Sequence, residues 1–404
     1  MKYCLIGEKL SHSFSSEIHK KCGLDYSLVE VPKGGLKAFL QGDYDGFNVT
    51  IPYKKEIMPF LDVIDENALQ IGAVNTVVKK DGKLFGYNTD FSGMLYALKR
   101  KGITLKDRNV LILGTGGTSN TAKAVCLTEN AKSIVTVSRS GEINYDNCYD
   151  LKETEVIINA TPVGMYPNIG VSAIDLSRFP NHKGVFDCIY NPSNTALLLQ
   201  AKALKIPFSD GLPMLVKQAI DAEKIWGYEN EEKVDSIIND IYNDKLNVVL
   251  VGMPSSGKST IGKMLSKKIG KKFIDTDVEI ENLSGKTPSE IITKNGEKAF
   301  RDIETQAIKK VSGENGLVIA TGGGAILRNE NVDYLKANGI IFYLKRDIEL
   351  LSAKNRPISQ SKGIDELYDE RKSYYEKSAD FTVYNNKTVD DCVLSIVDIF
   401  KNFN

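Results

Sequence analysis

The sequence is poor in the residue types that build metal cages and disulfide frameworks. Its 404 residues include 3 histidines and 6 cysteines. The cysteines are scattered, and no two of them form a CxxC pair. A zinc site is not expected, because structural zinc draws four ligands from closely spaced cysteines and histidines. Scattered cysteines are typical of free thiols in a reducing compartment, which predicts a cytoplasmic protein.

Long apolar runs and an excess of charge of either sign are also missing. No apolar run approaches the roughly 20 residues that span a bilayer. The N-terminus has no apolar core and cleavage site of a secretory signal. Lys+Arg and Asp+Glu are equal at 52 each. We therefore expect neither a membrane nor a nucleic-acid partner, since nucleic acids attract an excess of positive charge. An oligomer is compatible with the sequence, which does not define one.

What the chain does contain is a repeated order of buried strands and helices. Its length suggests two or three domains. Apolar runs lead into glycine-rich turns at 110–118, 248–260 and 317–325. Buried strands that alternate with helices predict an α/β fold with parallel sheets. The polar segment 226–247 carries spaced Val and Ile residues, which predicts a last helix before a short turn. We place the domain boundary there and expect domains at 1–245 and 246–404.

The segment 252–259 reads GMPSSGKS and follows the apolar run 247–251. It fits the phosphate-loop pattern GxxxxGK[ST], in which backbone N–H groups and a helix N-terminus surround phosphate. Lys258 is expected to reach the β- and γ-phosphates, and Ser259 to ligate Mg²⁺. ATP and Mg²⁺ are therefore the predicted ligands. The nucleotide-binding residues predicted here are Gly252, Pro254, Ser255, Ser256, Gly257, Lys258, Ser259 and Thr260.

Further motifs follow the phosphate loop in a fixed order. They are FIDTD (273–277), which we interpret as a strand with both carboxylates on one side, FRDIE (300–304), GGG (322–324), NRP (355–357) and ERKSYYEKSAD (370–380). Over 247–404 this set resembles shikimate kinase, a small kinase of the nucleoside-monophosphate-kinase-like P-loop fold.

The kinase resemblance implies a role for each matching residue. Asp277 would hydrogen-bond the acceptor hydroxyl and take its proton, beside the catalytic Lys258. Asp275 would help Ser259 to place the metal. Arg356 would lie on the lid and contact ATP phosphate. The residues implied in binding shikimate are Asp277, Arg301, Gly323 and Arg371.

The first half contains a second glycine-rich loop, GTGGTS at 114–119. Such a loop between a strand and a helix is typical of dinucleotide binding, although a lone match is a weak signal. About 20 residues on, Arg139 follows the strand 133–138, where NAD-binding proteins carry an acidic residue. A cation suits a 2′-phosphate, which favours NADP(H) over NAD. The cofactor residues predicted from this loop and strand are Gly114, Thr115, Gly116, Gly117, Thr118, Ser138 and Arg139.

Seven motifs surround this loop. They are SHSFSSEIH (11–19), FNVTIPYKKE (47–56), GAVNT (72–76), GYNTDFSG (86–93), NATPVGM (159–165), DCIYNPSNT (187–195) and DGLPMLVKQA (210–219). In this order they resemble shikimate dehydrogenase across 1–225. The resemblance implies two lobes, a substrate lobe from 1–92 plus 210–245 and a Rossmann-like NADP lobe from 93–209.

Roles follow from the dehydrogenase resemblance as well. Lys54 would be the catalytic group, partnered by Asp90. Gly211 would approach the nicotinamide. Ser13 and Ser15, interpreted as lying in an extended segment with both hydroxyls on one side, would bind the substrate carboxylate. The other substrate-binding residues that the resemblance implies are Thr50, Asn75, Asp90, Tyr190 and Gln218.

Together the two resemblances imply consecutive steps of the shikimate pathway, reduction of 3-dehydroshikimate with NADPH and phosphorylation of shikimate with ATP. Two alternatives stay open. One is an NAD-dependent quinate/shikimate dehydrogenase joined to a kinase for another small acid. The other is a ligand-sensing fusion without chemistry. Such a sensor is expected to have lost at least one of Lys54, Asp90, Lys258 and Asp277, and the chain keeps all four.

Overall fold

The computed structural model describes residues 2–10, 13–351 and 363–402. The chain forms two compact units. Unit 1 comprises Met1–Val163, Ser172–Tyr190 and Gln200–Ile238, and unit 2 comprises Gly164–Val171, Asn191–Leu199 and Asn239–Asn404. The predicted Arg356 on the kinase lid lies outside the described residues.

The first lobe of unit 1 is built on a mixed six-stranded sheet in the order β2-β1-β3-β5-β6-β4. Strands β1, β2 and β3 are parallel, and β5 runs antiparallel to both β3 and β6. The elements of this lobe are β1 (Tyr3–Gly7), α1 (Ser15–Lys21), β2 (Tyr26–Glu30), α2 (Leu36–Phe39), β3 (Gly46–Val49), α3 (Tyr53–Glu56), β4 (Val63–Ile64), α4 (Glu66–Ile71), β5 (Thr76–Lys80) and β6 (Lys83–Tyr87).

The second lobe of unit 1 contains a fully parallel five-stranded sheet in the order β11-β10-β9-β7-β8. Its strands read as unbroken apolar runs because helices cover both faces of such a sheet. The elements are α5 (Asp90–Arg100), β7 (Asn109–Leu113), α6 (Gly117–Thr128), β8 (Ser133–Val137), β9 (Val156–Asn159), β10 (Gly184–Asp187), α7 (Ala196–Ala203) and β11 (Phe208–Ser209).

Helix α8 (Leu212–Ile225) packs along α5, and α9 (Val234–Lys245) follows it. The last helix predicted within 226–247 is therefore confirmed as α9. Trp226, just after α8, is buried against Tyr3 and donates a hydrogen bond to the carbonyl of Val77 in β5. The end of α8 is thus fixed to the sheet of the first lobe.

The sheet of unit 2 is also fully parallel, in the order β13-β14-β12-β15-β16. Helices cover both of its faces, so its central strands are buried. The elements are β12 (Asn247–Val251), α10 (Lys258–Ile269), β13 (Lys272–Asp275), α11 (Thr276–Ser284), α12 (Pro288–Ser312), β14 (Leu317–Ala320), α13 (Asn329–Asn338), β15 (Gly339–Lys345), α14 (Ile364–Ser378), β16 (Phe381–Tyr384) and α15 (Val389–Lys401). The parallel α/β class predicted from the sequence is confirmed.

Two local predictions were wrong. The segment 273–277 is not a strand throughout, because Asp275 ends β13 and its carboxylate caps α11 by accepting from the Asp277 N–H. The serine segment is not extended either, since Ser15 is the first residue of α1. In both cases a short polar residue starts a helix, which the alternation argument overlooked.

Within the described ranges, the structure contains no helix with the length and apolar character needed to cross a membrane.

Candidate active sites

The first site is centred on an ion pair in unit 1. Lys54 Nζ lies 2.6 Å from Asp90 Oδ2. Lys54 stands on the short helix α3 directly after β3, and Asp90 is the first residue of α5. The two side chains are 21% and 12% exposed. The pair is therefore shielded from bulk water but still open to a small molecule.

Amide side chains complete this cluster. Asn75 donates through Nδ2 to Asp90 Oδ1 at 2.9 Å, and the same nitrogen lies 3.4 Å from Gln218 Oε1 on α8. The Thr89 N–H donates to Asn75 Oδ1 at 2.8 Å, which fixes the orientation of the amide. Four residues predicted separately, at 54, 75, 90 and 218, therefore meet in one place.

The predicted carboxylate-binding serines form a second polar patch in unit 1. Ser13 Oγ lies 3.1 Å from Ser15 Oγ. Phe14 between them packs against the ring of Tyr190 at a centroid distance of 5.0 Å. Burial raises the pKa of Tyr190 to about 12, so its hydroxyl remains a donor at neutral pH. Thr50, half-buried, directly follows β3.

Cys188 is a neighbour of the ion pair that the sequence did not single out. Burial raises the pKa of its thiol well above its usual value, Asp187 and Asp90 add to the rise, and Lys54 opposes it.

An added Cβ on Gly211, which is the residue before α8, would lie 2.1 Å from the Cys188 carbonyl oxygen. Only glycine fits at 211 without movement of one of the two segments.

The second lobe of unit 1 carries the predicted dinucleotide loop between β7 and α6. Gly114 has φ +100°, a conformation that favours glycine, and Gly116 precedes the first turn of α6. Space around Gly116 and Gly117 is open, because an added Cβ would meet nothing within 4 Å. Arg139 is exposed, two residues beyond β8. These residues fit a pyrophosphate at the helix N-terminus and a 2′-phosphate at Arg139.

Unit 2 contains a cleft of about 620 Å³ at the carboxyl edge of its sheet. The ends of β12, β13, β14 and β15 all contribute to it. The predicted residues that line this cleft are Pro254, Ser255, Gly257, Lys258, Ser259, Thr260, Asp275, Asp277, Arg301, Gly323 and Arg371. Of the predicted loop residues, Gly252 and Ser256 are buried at the base of the loop.

The phosphate loop is organised for an anion. Gly257, with φ +93°, precedes α10, and Lys258 Nζ donates to the carbonyls of Gly252 and Met253 at 2.8 and 2.9 Å. Ser259 Oγ donates to Asp275 Oδ2 at 2.6 Å. A hydroxyl and a carboxylate side by side are ligands that Mg²⁺ accepts, so the residues present fit nucleotide phosphate with its metal.

The opposite wall of the cleft concentrates guanidinium groups around one buried carboxylate. Arg301 donates to Glu304 at 2.7 Å and to Glu297 at 3.0 Å. Burial raises the pKa of Glu304, against the opposing charges of Arg301 and Arg371. The sequence motifs did not indicate that Glu304 is the partner that orients Arg301. Its full burial arises from the packing of α12, which the sequence spacing does not reveal.

The family model "Shikimate dehydrogenase substrate binding domain" matches residues 5–77, and "Shikimate kinase" matches residues 254–401. An NADP(+) shikimate dehydrogenase of Clostridium perfringens is 39% identical over 264 residues, which cover 59% of this chain and 96% of the relative. This chain belongs to the shikimate dehydrogenase family.

Solved structures of the shikimate dehydrogenase family agree with the fold. A chorismate mutase/shikimate 5-dehydrogenase fusion from Clostridium acetobutylicum has a TM-score of 0.57 at 38% identity, covering 59% of this chain and 96% of its own. Shikimate 5-dehydrogenase from Thermus thermophilus, solved with NADP(H) and shikimate, has a TM-score of 0.54 at 28% identity, covering 59% and 99%.

The shikimate dehydrogenase relative covers 59% of this chain, and the shikimate kinase family model matches residues 254–401. The chain is thus a fusion of a shikimate dehydrogenase and a shikimate kinase domain, a bifunctional enzyme of the shikimate pathway. Both predicted resemblances are confirmed.

Proposed function

We propose that the chain reduces 3-dehydroshikimate to shikimate with NADPH at the Lys54–Asp90 cluster, and phosphorylates shikimate with ATP in the cleft of unit 2. The observation that carries the proposal is the presence of both clusters in one chain, since the product of the first reaction is the acceptor of the second. The dehydrogenase would comprise residues 1–245 and the kinase residues 246–404. The predicted compartment is the cytoplasm, because six unpaired thiols suit a reducing environment.

In the dehydrogenase, Lys54 would give a proton to the ketone oxygen as it becomes a hydroxyl. Asp90 holds the ammonium at 2.6 Å, and Asn75 holds Asp90, so the donor is fixed before substrate arrives. NADPH, when bound, supplies the hydride. Ser13, Ser15 and Tyr190 would bind the substrate carboxylate and a ring hydroxyl, with Thr50, Asn75 and Gln218 on the remaining hydroxyls.

In the kinase, Asp277 would accept the proton of the attacking hydroxyl. Arg301 and Arg371 would hold the substrate carboxylate, because a planar guanidinium matches two carboxylate oxygens. Lys258 and the N-terminus of α10 would bind the phosphate chain, with Ser259 and Asp275 at the metal. ATP, when bound, supplies the phosphoryl group.

The test is a pair of crossed variants assayed for both activities. Lys54→Ala removes the proton donor and is expected to lower shikimate-dependent reduction of NADP⁺ by about 10³-fold, with phosphorylation of shikimate unchanged. Lys258→Ala is expected to do the reverse, with at least about a hundredfold loss of kinase turnover. The exposed lysines Lys55 and Lys263 provide controls, since Lys55→Ala and Lys263→Ala should leave both rates unchanged.

If Lys54→Ala retained dehydrogenase activity in a folded protein, the assignment of the first site would fail. If either variant lost both activities although its stability equalled that of the wild type, the two sites would not be independent. The alternative of an NAD-dependent quinate/shikimate dehydrogenase is tested by repeating the oxidation with NAD⁺ as cofactor and with quinate as substrate. Faster turnover with NAD⁺ than with NADP⁺ would contradict the role given to Arg139.

A further inference from the structure

Arg346 is a cation in the kinase cleft that the sequence motifs do not include. It directly follows β15, the strand next to β12, from which the phosphate loop emerges. Its side chain lines the same cleft as Ser255, Gly257 and Lys258. It therefore lies on the nucleotide side of the cleft.

Within the part of the chain that the structure describes, no acidic side chain balances the charge of Arg346. Among the described residues, no carboxylate forms an ion pair with it, and its Nε is buried without a hydrogen-bond partner. Its one hydrogen bond to another described residue runs from Nη1 to the carbonyl oxygen of Ser255 at a long 3.4 Å. Arg301, across the cleft, has two carboxylates by contrast. A part-buried cation without an anion is costly, so the site is more stable with an anion bound.

The surroundings keep this guanidinium at the phosphate loop. Asn385, just after β16, donates to the Ser256 carbonyl at 2.8 Å. The backbone N–H of Asp347 donates to Asn386 Oδ1 at 3.0 Å, which joins the ends of β15 and β16. Two adjacent strand ends therefore hold consecutive carbonyls of the loop, and Arg346 is positioned before any ligand enters.

We propose that Arg346 binds the phosphate chain of the nucleotide, as a second cation beside Lys258. This inference rests on the proposed kinase function and adds a nucleotide-binding residue to it. A guanidinium offers several donors in one plane and matches phosphate oxygens better than a lysine does. Stacking of Arg346 on the base is the competing role, and the experiment separates the two.

The test measures binding of MgADP and of adenosine to the full chain by calorimetry. Arg346→Gln keeps an N–H that can reach the Ser255 carbonyl and removes the charge. It should weaken MgADP binding about tenfold, or about 1.4 kcal/mol, and leave adenosine binding unchanged. Arg346→Lys restores charge without the planar fork and should recover part of the loss. Lys345→Gln is the matched control for charge, because the Lys345 ammonium lies 3.7 Å from Glu376 and is paired with it. This variant should bind MgADP as the wild type does.

Three results would overturn the inference. Equal MgADP affinity in Arg346→Gln and wild type would exclude a ligand contact. Equal losses for MgADP and adenosine would assign Arg346 to the nucleoside. No recovery in Arg346→Lys would leave only a role in holding the loop. If the wild-type chain itself failed to bind MgADP, the proposed kinase function would fail instead. Thermal unfolding measured in the same samples verifies that each variant is folded.

Discussion

Two glycines of the dehydrogenase in unit 1, Gly211 and Gly117, have opposite surroundings. An added Cβ on Gly211 would lie 2.1 Å from a backbone carbonyl oxygen, whereas one on Gly117 would meet nothing. The space at Gly117 is where the cofactor would lie. The same substitution, glycine to alanine, is therefore expected to disturb backbone packing at 211 and ligand binding at 117.

Gly211→Ala is expected to lower the free energy of unfolding of the dehydrogenase by roughly 1–3 kcal/mol, because backbone must move to relieve the overlap. Gly117→Ala is expected to leave stability unchanged and to raise the Kd for NADP⁺ by about tenfold or more, since the methyl group occupies the cofactor's space. Urea unfolding and NADP⁺ titration measure both effects. Unchanged NADP⁺ affinity in a stable Gly117→Ala chain would contradict the position given to the cofactor.

Among individual residues, the sequence predicted those that belong to short motifs. The loop 252–259 carries its own geometry, because Gly257 and Lys258 lie between a strand and a helix within one local pattern. Glu304 and Arg346 were missed for a different reason. Their importance comes from neighbours on other elements, Arg371 on α14 and Ser255 in the loop, and sequence spacing carries no information on such contacts.

Among the elements, the close packing of α5 on α8 brings the dehydrogenase cluster together. An added Cβ on Gly93 of α5 would lie 2.6 Å from the Met214 carbonyl oxygen and 3.1 Å from the Gln218 Cβ. Ser92 Oγ also donates to Asp221 of α8 at 2.5 Å. The absence of a side chain at 93 therefore lets Gln218 approach Asn75 and Asp90.

Gly93→Ala should push α8 away from α5 and shift Gln218 relative to Asp90. We expect kcat/KM of the dehydrogenase to fall about tenfold or more, since displacements of about 1 Å cost this much. Kinase activity of the same chain provides the internal control and should not change. A wild-type kcat/KM with a lowered melting temperature would mean that the helix contact matters for stability alone.

Element boundaries were the part of the fold that the sequence predicted least well. Asp275 and Ser15 were both interpreted as extended, and both stand at the start of a helix. Asp275 begins α11 because its carboxylate accepts from the free N–H of Asp277, whereas α1 begins at Ser15 without a side-chain cap. Apolar runs such as β7, β12 and β14 were predicted reliably, because burial on both faces leaves an unbroken apolar stretch. The strand orders were beyond reach, since they depend on contacts distant in sequence.

Across the whole molecule, the cysteines are distributed unevenly between the units. Five lie in unit 1, and Cys392 alone lies in unit 2. Burial raises the pKa of Cys4 and of Cys126 from 9.0 to about 12. Above pH 9 the unfolded thiols ionise while the folded ones do not, so the unfolded state binds fewer protons. The contribution of these two thiols to the free energy of unfolding is therefore complete below pH 9 and is lost as the pH rises towards 12.

The unfolding free energy of unit 1 should fall by about 1.4 kcal/mol per buried thiol at pH 10. The double variant Cys4→Ala/Cys126→Ala should lose correspondingly less between pH 8 and pH 10, whatever its stability at pH 8. Fluorescence of Trp226, the single tryptophan of the chain, reports urea unfolding of unit 1 selectively. Identical pH dependence in the double variant and wild type would contradict the account.

The most direct measurement of the central claim is a one-pot reaction of the purified chain with 3-dehydroshikimate, NADPH and MgATP. We predict that NADPH oxidation and ADP release proceed to equal extents and that shikimate 3-phosphate is the final product. With Lys258→Ala the reaction should stop at shikimate. With Lys54→Ala NADPH should not be consumed, and ATP should be consumed only after shikimate is added. ATP consumption by Lys54→Ala from 3-dehydroshikimate alone, or NADPH oxidation by wild type without any phosphorylated product, would contradict two consecutive reactions on one chain.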